Sequence, residues 1–567
     1  MSKRTILIIL LIFSVNLAFC ASSSKLAKDI AAMLETGKTS EAESLIDSAL
    51  AVTPDDNDLL NIKGDIFRAQ NDYPKALEYY DKVLVNKAKD PDALYGAGLA
   101  ALNTDQAQKA LEYFERGAKT NKRKTDFMYG KALAQKELGL FADADATIRK
   151  AISGDKKNPI LHKALGDINF AKDVWSIALI EYKQVLELDS TQTDLYYKIA
   201  RANFYSKNFT DAVKYYKEYL RIHDSDIKAW EELATICIYA NLPNEAEFCY
   251  KKLAVLQPEN GDYWFTLGDI QYNLHEYDSA GVSLEKSVEL GSHAAEAYLR
   301  LAKIYNIQQK YYQADSAYTR FENELGVPDS SEYWFEKGKV MLKIGQMDAA
   351  FFDRAIASFD IAIRLDSTSA ANWEHAGLAR YYKQDYAGAI PFFTKRIELG
   401  SENVNSLRNL AICYLKTERY KEAAANLEKG IALKPDDAIM RQMIGRIYGF
   451  LGSGSEENAQ KYFPDAIKHF KVALQDTNGA LSAIDKCKIR GDIGTYFVTL
   501  REPKEAQSYL TNAVVCDSKN IDYLYNLGMA YYMNNEGENA HEYAGKALEI
   551  NPDYKPAKEL WLRTSKK

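Results

Sequence analysis

One alanine returns at a fixed interval along this chain. Fifteen alanines occupy matching positions, and the first nine follow one another every 34 residues without a slip. A constant period in this range indicates a repeat array in which each copy is one small structural unit. The period therefore constrains the fold more strongly than the length of 567 residues, which alone would suggest several globular domains. The alanines are Ala42, Ala76, Ala110, Ala144, Ala178, Ala212, Ala246, Ala280, Ala314, Ala355, Ala389, Ala423, Ala466, Ala506 and Ala540.

Two further positions keep the same register as the alanine. Twelve residues before most alanines stands another small residue, such as Gly64, Gly166 or Ala200, whereas the first copy has Ile30 there. Four residues after many alanines stands a large apolar residue, such as Tyr182. We interpret each copy as two helices, because apolar residues recur every three or four positions on both sides of a short polar break. A small residue on the first helix is expected to face the alanine of the second, with the large residue filling the space beside this contact.

This pattern resembles the tetratricopeptide repeat family over roughly residues 23–565. An aromatic residue early in the first helix and a proline between copies add to the resemblance. The resemblance implies an all-α fold, an α-solenoid in which about fifteen tandem helix-turn-helix units form a right-handed superhelix with a C-terminal cap helix. The aromatic residues are Trp230, Trp264, Trp334 and Trp373, and the prolines are Pro54, Pro258, Pro435 and Pro552.

Irregular spacing divides the predicted array into three segments. Regular units extend over residues 21–330, and residues 331–486 contain insertions that are predicted to lengthen the turns within units, at 345–354 and 449–465. Residues 487–567 hold the C-terminal units and the cap helix, which is predicted from Lys555 to Arg563.

Residues 1–20 differ in kind from the array. A short basic lead precedes an apolar run from Thr5 to Leu17, which is too short to span a bilayer. We interpret this segment as a secretory signal peptide, which predicts an exported protein in the periplasm or at the outer membrane of a bacterium. Leu17 to Cys20 resembles a bacterial lipoprotein cleavage box, so Cys20 is a candidate for lipid attachment. Phe19 departs from the small residue expected there, and cleavage nearby without lipidation is the alternative.

Composition and motifs argue against several function classes. The chain has 72 basic and 79 acidic residues, whereas a nucleic-acid-binding protein normally has a basic surplus. The seven histidines are scattered, and neither His-Glu-x-x-His nor Cys-x-x-Cys occurs, so no metal site is expected. Gly96 to Ala101 matches a dinucleotide-binding fingerprint but follows no predicted strand. We predict no enzyme activity, no catalytic residues and no cofactor.

Five cysteines besides Cys20 are sparse and unevenly spaced, which does not indicate a disulfide scaffold. Cys237 and Cys249 lie on the two predicted helices of one unit. They could pair in an oxidising compartment, or they could serve as small buried packing residues.

The resemblance implies that one face of the first helices lines the concave groove of the superhelix and binds a partner. Aromatic residues interleaved with mixed charges on this face suit an extended peptide or a partner helix, although many of the tyrosines could instead pack against neighbouring units. The basic residues Arg300, Lys303 and Lys339 hint at an acidic partner segment. The candidates are Tyr129, Tyr197, Arg201, Tyr205, Tyr239, Phe265, Asp269, Tyr272, Arg300, Lys303, Phe335, Lys339 and Tyr382.

These observations predict an exported scaffold of the bacterial cell envelope that binds a protein or peptide partner and no nucleic acid. Some family members clamp a terminal carboxylate with a lysine and an asparagine one helical turn apart, and no unit here carries that pair. An alternative is a carbohydrate- or cell-wall-binding protein that uses the groove tyrosines as stacking platforms.

Overall fold

The computed structural model describes residues 38–120, 123–400 and 403–565, together with residues 26, 29, 30, 32, 33 and 36. These residues form thirty helices and no strand, which confirms the all-α prediction. The interpretations of residues 1–20 as a signal peptide and of Cys20 as a lipid attachment site fall outside the described residues.

The chain divides into two compact units, and the boundary lies between Glu276 and Tyr277, inside the regular segment predicted over 21–330. The helices of the first unit are α1 (Thr39–Leu50), α2 (Asn57–Ala69), α3 (Tyr73–Asn86), α4 (Pro91–Leu102), α5 (Ala107–Ala118), α6 (Lys124–Glu137), α7 (Phe141–Gly154), α8 (Pro159–Ala171), α9 (Trp175–Leu188), α10 (Leu195–Tyr205), α11 (Phe209–Leu220), α12 (Ile227–Tyr239), α13 (Pro243–Leu256) and α14 (Gly261–Asn273).

The second unit repeats the same plan. Its helices are α15 (Tyr277–Glu289), α16 (Ala294–Ile307), α17 (Tyr311–Leu325), α18 (Ser331–Gly345), α19 (Phe351–Leu365), α20 (Ala370–Tyr382), α21 (Tyr386–Glu398), α22 (Val404–Lys416), α23 (Tyr420–Leu433), α24 (Ala438–Gly452), α25 (Glu456–Ala473), α26 (Ala483–Thr499), α27 (Pro503–Cys516), α28 (Ile521–Met533), α29 (Gly537–Ile550) and α30 (Lys555–Thr564).

Even-numbered helices are the first helices of the predicted repeats, and odd-numbered helices are the second. Within each unit, a first helix packs against the second helix of its own repeat and against that of the preceding repeat. Each unit is therefore an all-α solenoid. Helix α30 coincides with the predicted cap helix and buries Ala557 and Leu560.

Local sequence explains where the helices begin and end. The side chain of Asp90 accepts hydrogen bonds from the amides of Asp92 and Ala93 at 3.1 and 3.0 Å, so it caps α4. Many first helices are followed by a residue in the left-handed region, such as Asn71 with φ of 63° or Asn241 with φ of 53°, which turns the chain towards the second helix.

The small residues of the first helices mainly make room for aromatic rings. A β-carbon built on Gly64 would lie 2.7 Å from Cε1 of Tyr80, and one built on Gly338 would lie 2.7 Å from Cε1 of Phe359. The sequence predicts that these glycines face the repeating alanine. In the structure, the groups that come closest to them are aromatic rings. The repeating alanine is buried beside it, as Ala76 shows. Each ring occupies the volume that the missing side chain leaves free.

Tryptophans at the starts of first helices anchor the turns between repeats. Each indole N–H donates to the carbonyl oxygen of the residue six positions earlier. This bond ties the first helical turn to the preceding link and satisfies a polar group that would otherwise lose its water. The pairs are Trp230 with Asp224 at 2.8 Å, Trp264 with Pro258 at 2.9 Å, Trp334 with Pro328 at 3.0 Å and Trp373 with Ser367 at 2.9 Å.

The extra residues at 449–465 lie largely in helices, whereas the sequence predicts a longer turn there. Helix α24 continues to Gly452, and α25 begins at Glu456 and extends for 18 residues. The Ser455 hydroxyl caps α25 by accepting from the amide of Asn458 at 3.1 Å. The Phe463 ring packs against Gly452, so the added helical turn is buried in the unit. Of the described helices, none combines the length and the apolar character needed to cross a membrane.

Candidate functional site

Two adjoining clefts lie between successive first helices of the first unit, and both are lined by Arg201. The first cleft, of about 270 Å³, lies between α8 and α10, and the second, of about 170 Å³, lies between α10 and α12. The first is lined by Lys136, Asp167, Phe170, Tyr182, Tyr197, Lys198 and Arg201. The second is lined by Arg201, Phe204, Tyr205, Tyr216, Glu231, Glu232, Thr235 and Ile236.

Arg201 is held mainly by aromatic rings. Its guanidinium carbon lies 5.7 to 5.8 Å from the ring centroids of Phe170, Tyr197 and Tyr205, and its Nη2 donates to the Tyr205 hydroxyl at 3.1 Å. The nearest carboxylate is that of Glu232, with 3.9 Å between Nε and Oε1, which exceeds hydrogen-bond distance. Most N–H groups of this guanidinium therefore donate to no carboxylate in the described part of the chain.

Tyrosine hydroxyls hold the carboxylates of both clefts in place. Asp167 accepts from the Tyr182 hydroxyl at 2.7 Å and from Lys198 Nζ at 2.6 Å. Glu232 accepts from the Tyr216 hydroxyl at 2.6 Å. Burial raises the pKa of Tyr182 and Tyr216, so both hydroxyls remain protonated donors at neutral pH.

The two clefts differ in charge. In the first, Lys136, Lys198 and Arg201 stand against the single carboxylate of Asp167. In the second, Arg201 faces the carboxylates of Glu231 and Glu232. The Glu231 side chain also accepts from the Tyr263 hydroxyl, at 2.5 Å. The surface is therefore positive on the α8 side of Arg201 and negative on the α12 side.

An aromatic edge, defined by Phe170, Trp175, Phe204, Tyr205 and Tyr239, borders both clefts. Trp175 stacks on Tyr205 with centroids 4.7 Å apart, and Phe170 meets Trp175 edge-on at 4.9 Å. Tyr239 lies 6.5 Å from Phe204, and 71% of its surface is exposed. Exposed aromatic area of this kind is typical of binding surfaces.

The other predicted residues of the first unit lie outside these clefts. Tyr129 is half-buried and packs with the apolar cluster around Ala132, so it serves mainly as a packing residue, and burial raises the pKa of its hydroxyl. Phe265, Asp269 and Tyr272 are half-buried on α14.

The predicted residues of the second unit do not form one surface of this kind. Lys303 lines a smaller cleft of about 130 Å³ between α16 and α18, together with Glu336. Lys339 is paired with Glu336 at 2.7 Å, so its charge is already compensated. Arg300 is half-buried on α16.

The aromatic candidates of the second unit have two different environments. Phe335 packs edge-on against Phe359 and His375, with centroids 6.0 and 4.8 Å away, and is a packing residue. Burial among these rings lowers the pKa of His375. Tyr382 is 44% exposed at the end of α20 and leans on Tyr381, 5.5 Å away.

The structure brings the predicted residues Tyr197, Arg201 and Tyr205 together at these clefts, and several other lining residues were not among the predicted ones. Asp167 precedes Arg201 by one repeat length and Lys198 lies one turn before it, so the period could have identified both. Trp175 lies on α9, a second helix, and contacts Tyr205 because of the turn between α8 and α9. The periodicity of the first helices does not predict this contact.

The cysteines and potential metal ligands form no further site in the part of the chain that the structure describes. Cys237 and Cys249 are free thiols in one buried apolar cluster, and Cys516 is exposed. The described residues hold no group of three or more His, Cys, Asp or Glu side chains arranged for a metal ion.

Known proteins resemble the chain at low identity and over part of their own length. It is 25% identical over 201 residues to the BBSome complex member BBS4 homolog of Drosophila melanogaster, covering 30% of this chain and 40% of the relative. It is 22% identical over 353 residues to human Superkiller complex protein 3, covering 60% and 20% respectively. The match thus spans less than half the length of these curated relatives. The solved structure of PilW, a type IV pilus biogenesis factor, aligns with a TM-score of 0.35 and 16% identity, covering 38% of this chain and 97% of that one.

Sequence models of tetratricopeptide repeats match three regions of the chain, at residues 32–123 in two overlapping stretches (32–93 and 68–123), 381–447 and 521–554. These regions lie in both compact units and coincide with the helix pairs described above. These matches identify the chain as a protein that contains tetratricopeptide repeats.

Proposed function

We propose that this protein is a non-enzymatic scaffold that holds an extended segment of a partner protein on the clefts that share Arg201. The observation that carries the proposal is the junction itself: an arginine that makes no hydrogen bond to a carboxylate of the described residues, with Glu232 at 3.9 Å, and that is bordered by exposed rings on successive first helices. Aromatic residues and arginine supply most of the binding energy in protein interfaces. Two relatives are named as members of protein complexes, which agrees with a role in assembly.

The chemistry of the clefts also favours binding over catalysis. Asp167, Glu231 and Glu232 each accept a hydrogen bond from a tyrosine hydroxyl and are charged structural partners of that hydroxyl.

We further propose that the protein works in the bacterial cell envelope. The support is the basic lead and the apolar run from Thr5 to Leu17 at the start of the chain. Mass spectrometry of the N-terminus of the protein purified from its host tests this directly. A cleaved chain that begins at a diacylglycerol-modified Cys20 indicates a lipid anchor, a cleaved unmodified chain indicates export alone, and an intact Met1 contradicts the proposal.

Site-specific photo-cross-linking tests the binding surface. A photoreactive phenylalanine replaces Tyr205 in one variant and Tyr239 in another, and Tyr312 on α17 of the second unit serves as the matched control because it is 53% exposed. We expect partner cross-links from the first two positions and not from the third. Equal yields at all three positions would contradict a site on the aromatic edge.

Loss of function gives the complementary measurement. The double variant Tyr205→Ala, Tyr239→Ala is expected to weaken partner capture at least tenfold while its helical content stays unchanged, because neither ring is buried: Tyr205 is 44% exposed and Tyr239 71%. Retention of the protein on purified peptidoglycan through these same two residues, without a protein partner, would instead identify a glycan as the ligand.

A further inference from the structure

We infer that the partner segment carries an acidic side chain and a basic side chain about three residues apart, with the acid in the first cleft and the base in the second. This inference rests on the proposed function and specifies the chemistry of its ligand. It concerns an internal stretch of chain, and a terminal carboxylate is not required.

The first cleft favours an acidic side chain because most N–H donors of Arg201 have no carboxylate partner in the described residues. Two other arginines in the described residues bind a carboxylate through two short contacts. Arg354 meets Asp315 at 2.9 Å through both Nη atoms, and the Nη2 atom of Arg380 lies 2.9 and 2.8 Å from the two oxygens of Asp360. Arg201 has no such partner in the described residues, so a carboxylate from outside can take up its free donors.

The neighbouring charges leave Arg201 as the cation that a partner carboxylate would meet. Lys198 is paired with Asp167 at 2.6 Å and Lys136 with Glu137 at 2.8 Å, and Asp167 also accepts from Tyr182. The rings of Phe170 and Tyr197 limit access of water to the guanidinium, which makes an ion pair there stronger than one at an open surface. A basic side chain in this cleft would be repelled by Arg201, and the carboxylate of Asp167 already has its cation.

The second cleft has the opposite preference. Glu231 accepts from the Tyr263 hydroxyl, and Glu232 accepts from the hydroxyls of Tyr216 and Tyr197, which leaves further lone pairs on each carboxylate for an incoming donor. A lysine or arginine side chain would donate to these carboxylates. An acidic side chain would instead place a third negative charge beside the two carboxylates that the tyrosines hold in position.

Helix spacing sets the distance between the two charges. The clefts lie on either side of α10, so their centres are separated by about one helix spacing, roughly 10 Å. A chain in the extended polyproline II conformation advances about 3.1 Å per residue and turns once every three residues, so side chains three residues apart face the same side and lie about 9 Å apart. Large apolar side chains between the two charges would meet Tyr205 and the aromatic edge.

A set of amidated, acetylated peptides tests the inference by fluorescence anisotropy with the full chain. Each contains Phe-Leu between two charged residues within a Gly-Ser context: Glu-Phe-Leu-Lys, its reverse Lys-Phe-Leu-Glu, Glu-Phe-Leu-Glu and Lys-Phe-Leu-Lys. We expect one of the two mixed-charge peptides to bind about tenfold tighter than both same-charge peptides, and the preferred order to reveal the chain direction. Equal binding of all four peptides, or no binding of any, would overturn the inference.

Variants assign each preference to a cleft. Arg201→Gln is expected to remove the discrimination against Lys-Phe-Leu-Lys. Glu231→Gln is expected to remove the discrimination against Glu-Phe-Leu-Glu. The glutamine at position 231 can still accept from the Tyr263 hydroxyl, so this substitution removes the charge and keeps that hydrogen bond. Arg221→Gln, at a site 75% exposed on the side chain and outside both clefts, is the control and should leave all affinities unchanged. If Tyr205→Ala with Tyr239→Ala abolishes partner capture while Arg201→Gln changes no preference, the binding surface stands and the charge inference fails.

Discussion

Gly166 on α8 lies directly against the ring of Tyr182 on α9, and a β-carbon built on Gly166 would lie 2.6 Å from Cε1 of that ring. The same ring donates its hydroxyl to Asp167. One glycine thus places the tyrosine that fixes a carboxylate of the first cleft, so packing within a repeat and the charge of the binding surface are linked.

Gly166→Ala should therefore destabilise the first unit by about 1–2 kcal/mol, because the added methyl group must displace Tyr182. Gly545→Ala is the control, since a β-carbon there would meet Trp561 at an ordinary distance of 3.6 Å. It should stabilise α29 by up to about 1 kcal/mol through helix propensity. Urea denaturation followed by circular dichroism measures both. Equal effects of the two substitutions would show that the ring is not the cause.

Trp230→Phe should cost about 1–2 kcal/mol, because the Asp224 carbonyl loses its indole donor and the buried site loses volume. Hydrogen exchange should rise first in the link before α12. Trp561→Phe provides the comparison, since that indole donates to no group in the described residues and the side chain is 37% exposed. If the link before α12 exchanged hydrogen equally slowly in both variants, the Trp230 indole would not anchor it.

Asp492 is a half-buried carboxyl without the tyrosine partner that Glu232 has. Both residues stand two positions before the small residue of their first helix, but the ring that corresponds to Tyr216 is Phe470, which has no hydroxyl. Burial raises the pKa of Asp492 to about 6, and the positive charges of Arg446 and Lys488 offset only part of this rise.

The sign of the pH dependence follows from this raised pKa. Between about pH 4 and 6 the folded chain keeps a proton on Asp492 that the unfolded chain has released, so this group lowers the free energy of unfolding as pH rises and leaves it lower above pH 6. Asp492→Asn should therefore stabilise the second unit by up to about 3 kcal/mol at pH 7.5 and have little effect at pH 4. Denaturation midpoints of the two proteins at both pH values test this. A constant difference across pH would exclude a titration of Asp492 as the cause.

Partner binding should depend on ionic strength through Arg201. Raising sodium chloride from 50 to 300 mM should weaken binding by several-fold in the unsubstituted protein, because the screening length falls across the dimensions of the clefts. Arg201→Gln should bind more weakly at low salt and show a shallower salt dependence, whereas Arg221→Gln should behave as the unsubstituted protein does. Isothermal titration with the captured partner measures the slope. An unchanged slope in Arg201→Gln would mean that the arginine pairs with no partner carboxylate.

The periodic residues predicted the helix pairs and several helix boundaries of the fold. The spacing of Gly64 and Ala76 identifies two packed helices, and Asp90 followed by Pro91 identifies a helix start, because both patterns reflect backbone geometry that is local in sequence. The added residues at 449–465 were less predictable. Whether they extend a turn or a helix depends on whether Phe463 finds a partner, and Gly452 supplies it.

The surface was predictable only in part. Tyr197, Arg201 and Tyr205 follow from helical periodicity, but the same rule selects Tyr129 and Phe335, which pack internally. Periodicity shows which way a side chain points from its own helix. How close the next helix comes depends on the side chains that both helices bury.

The sequence by itself determined the repeat, the alternation of first and second helices and the family, because a constant period of small and large residues allows one way of pairing helices. Only the tertiary structure decided which of the many tyrosines are exposed, which carboxylates are bound to them, and that Arg201 stands between clefts of opposite charge. These properties depend on distances between residues of different repeats, and such distances arise only when the helices pack.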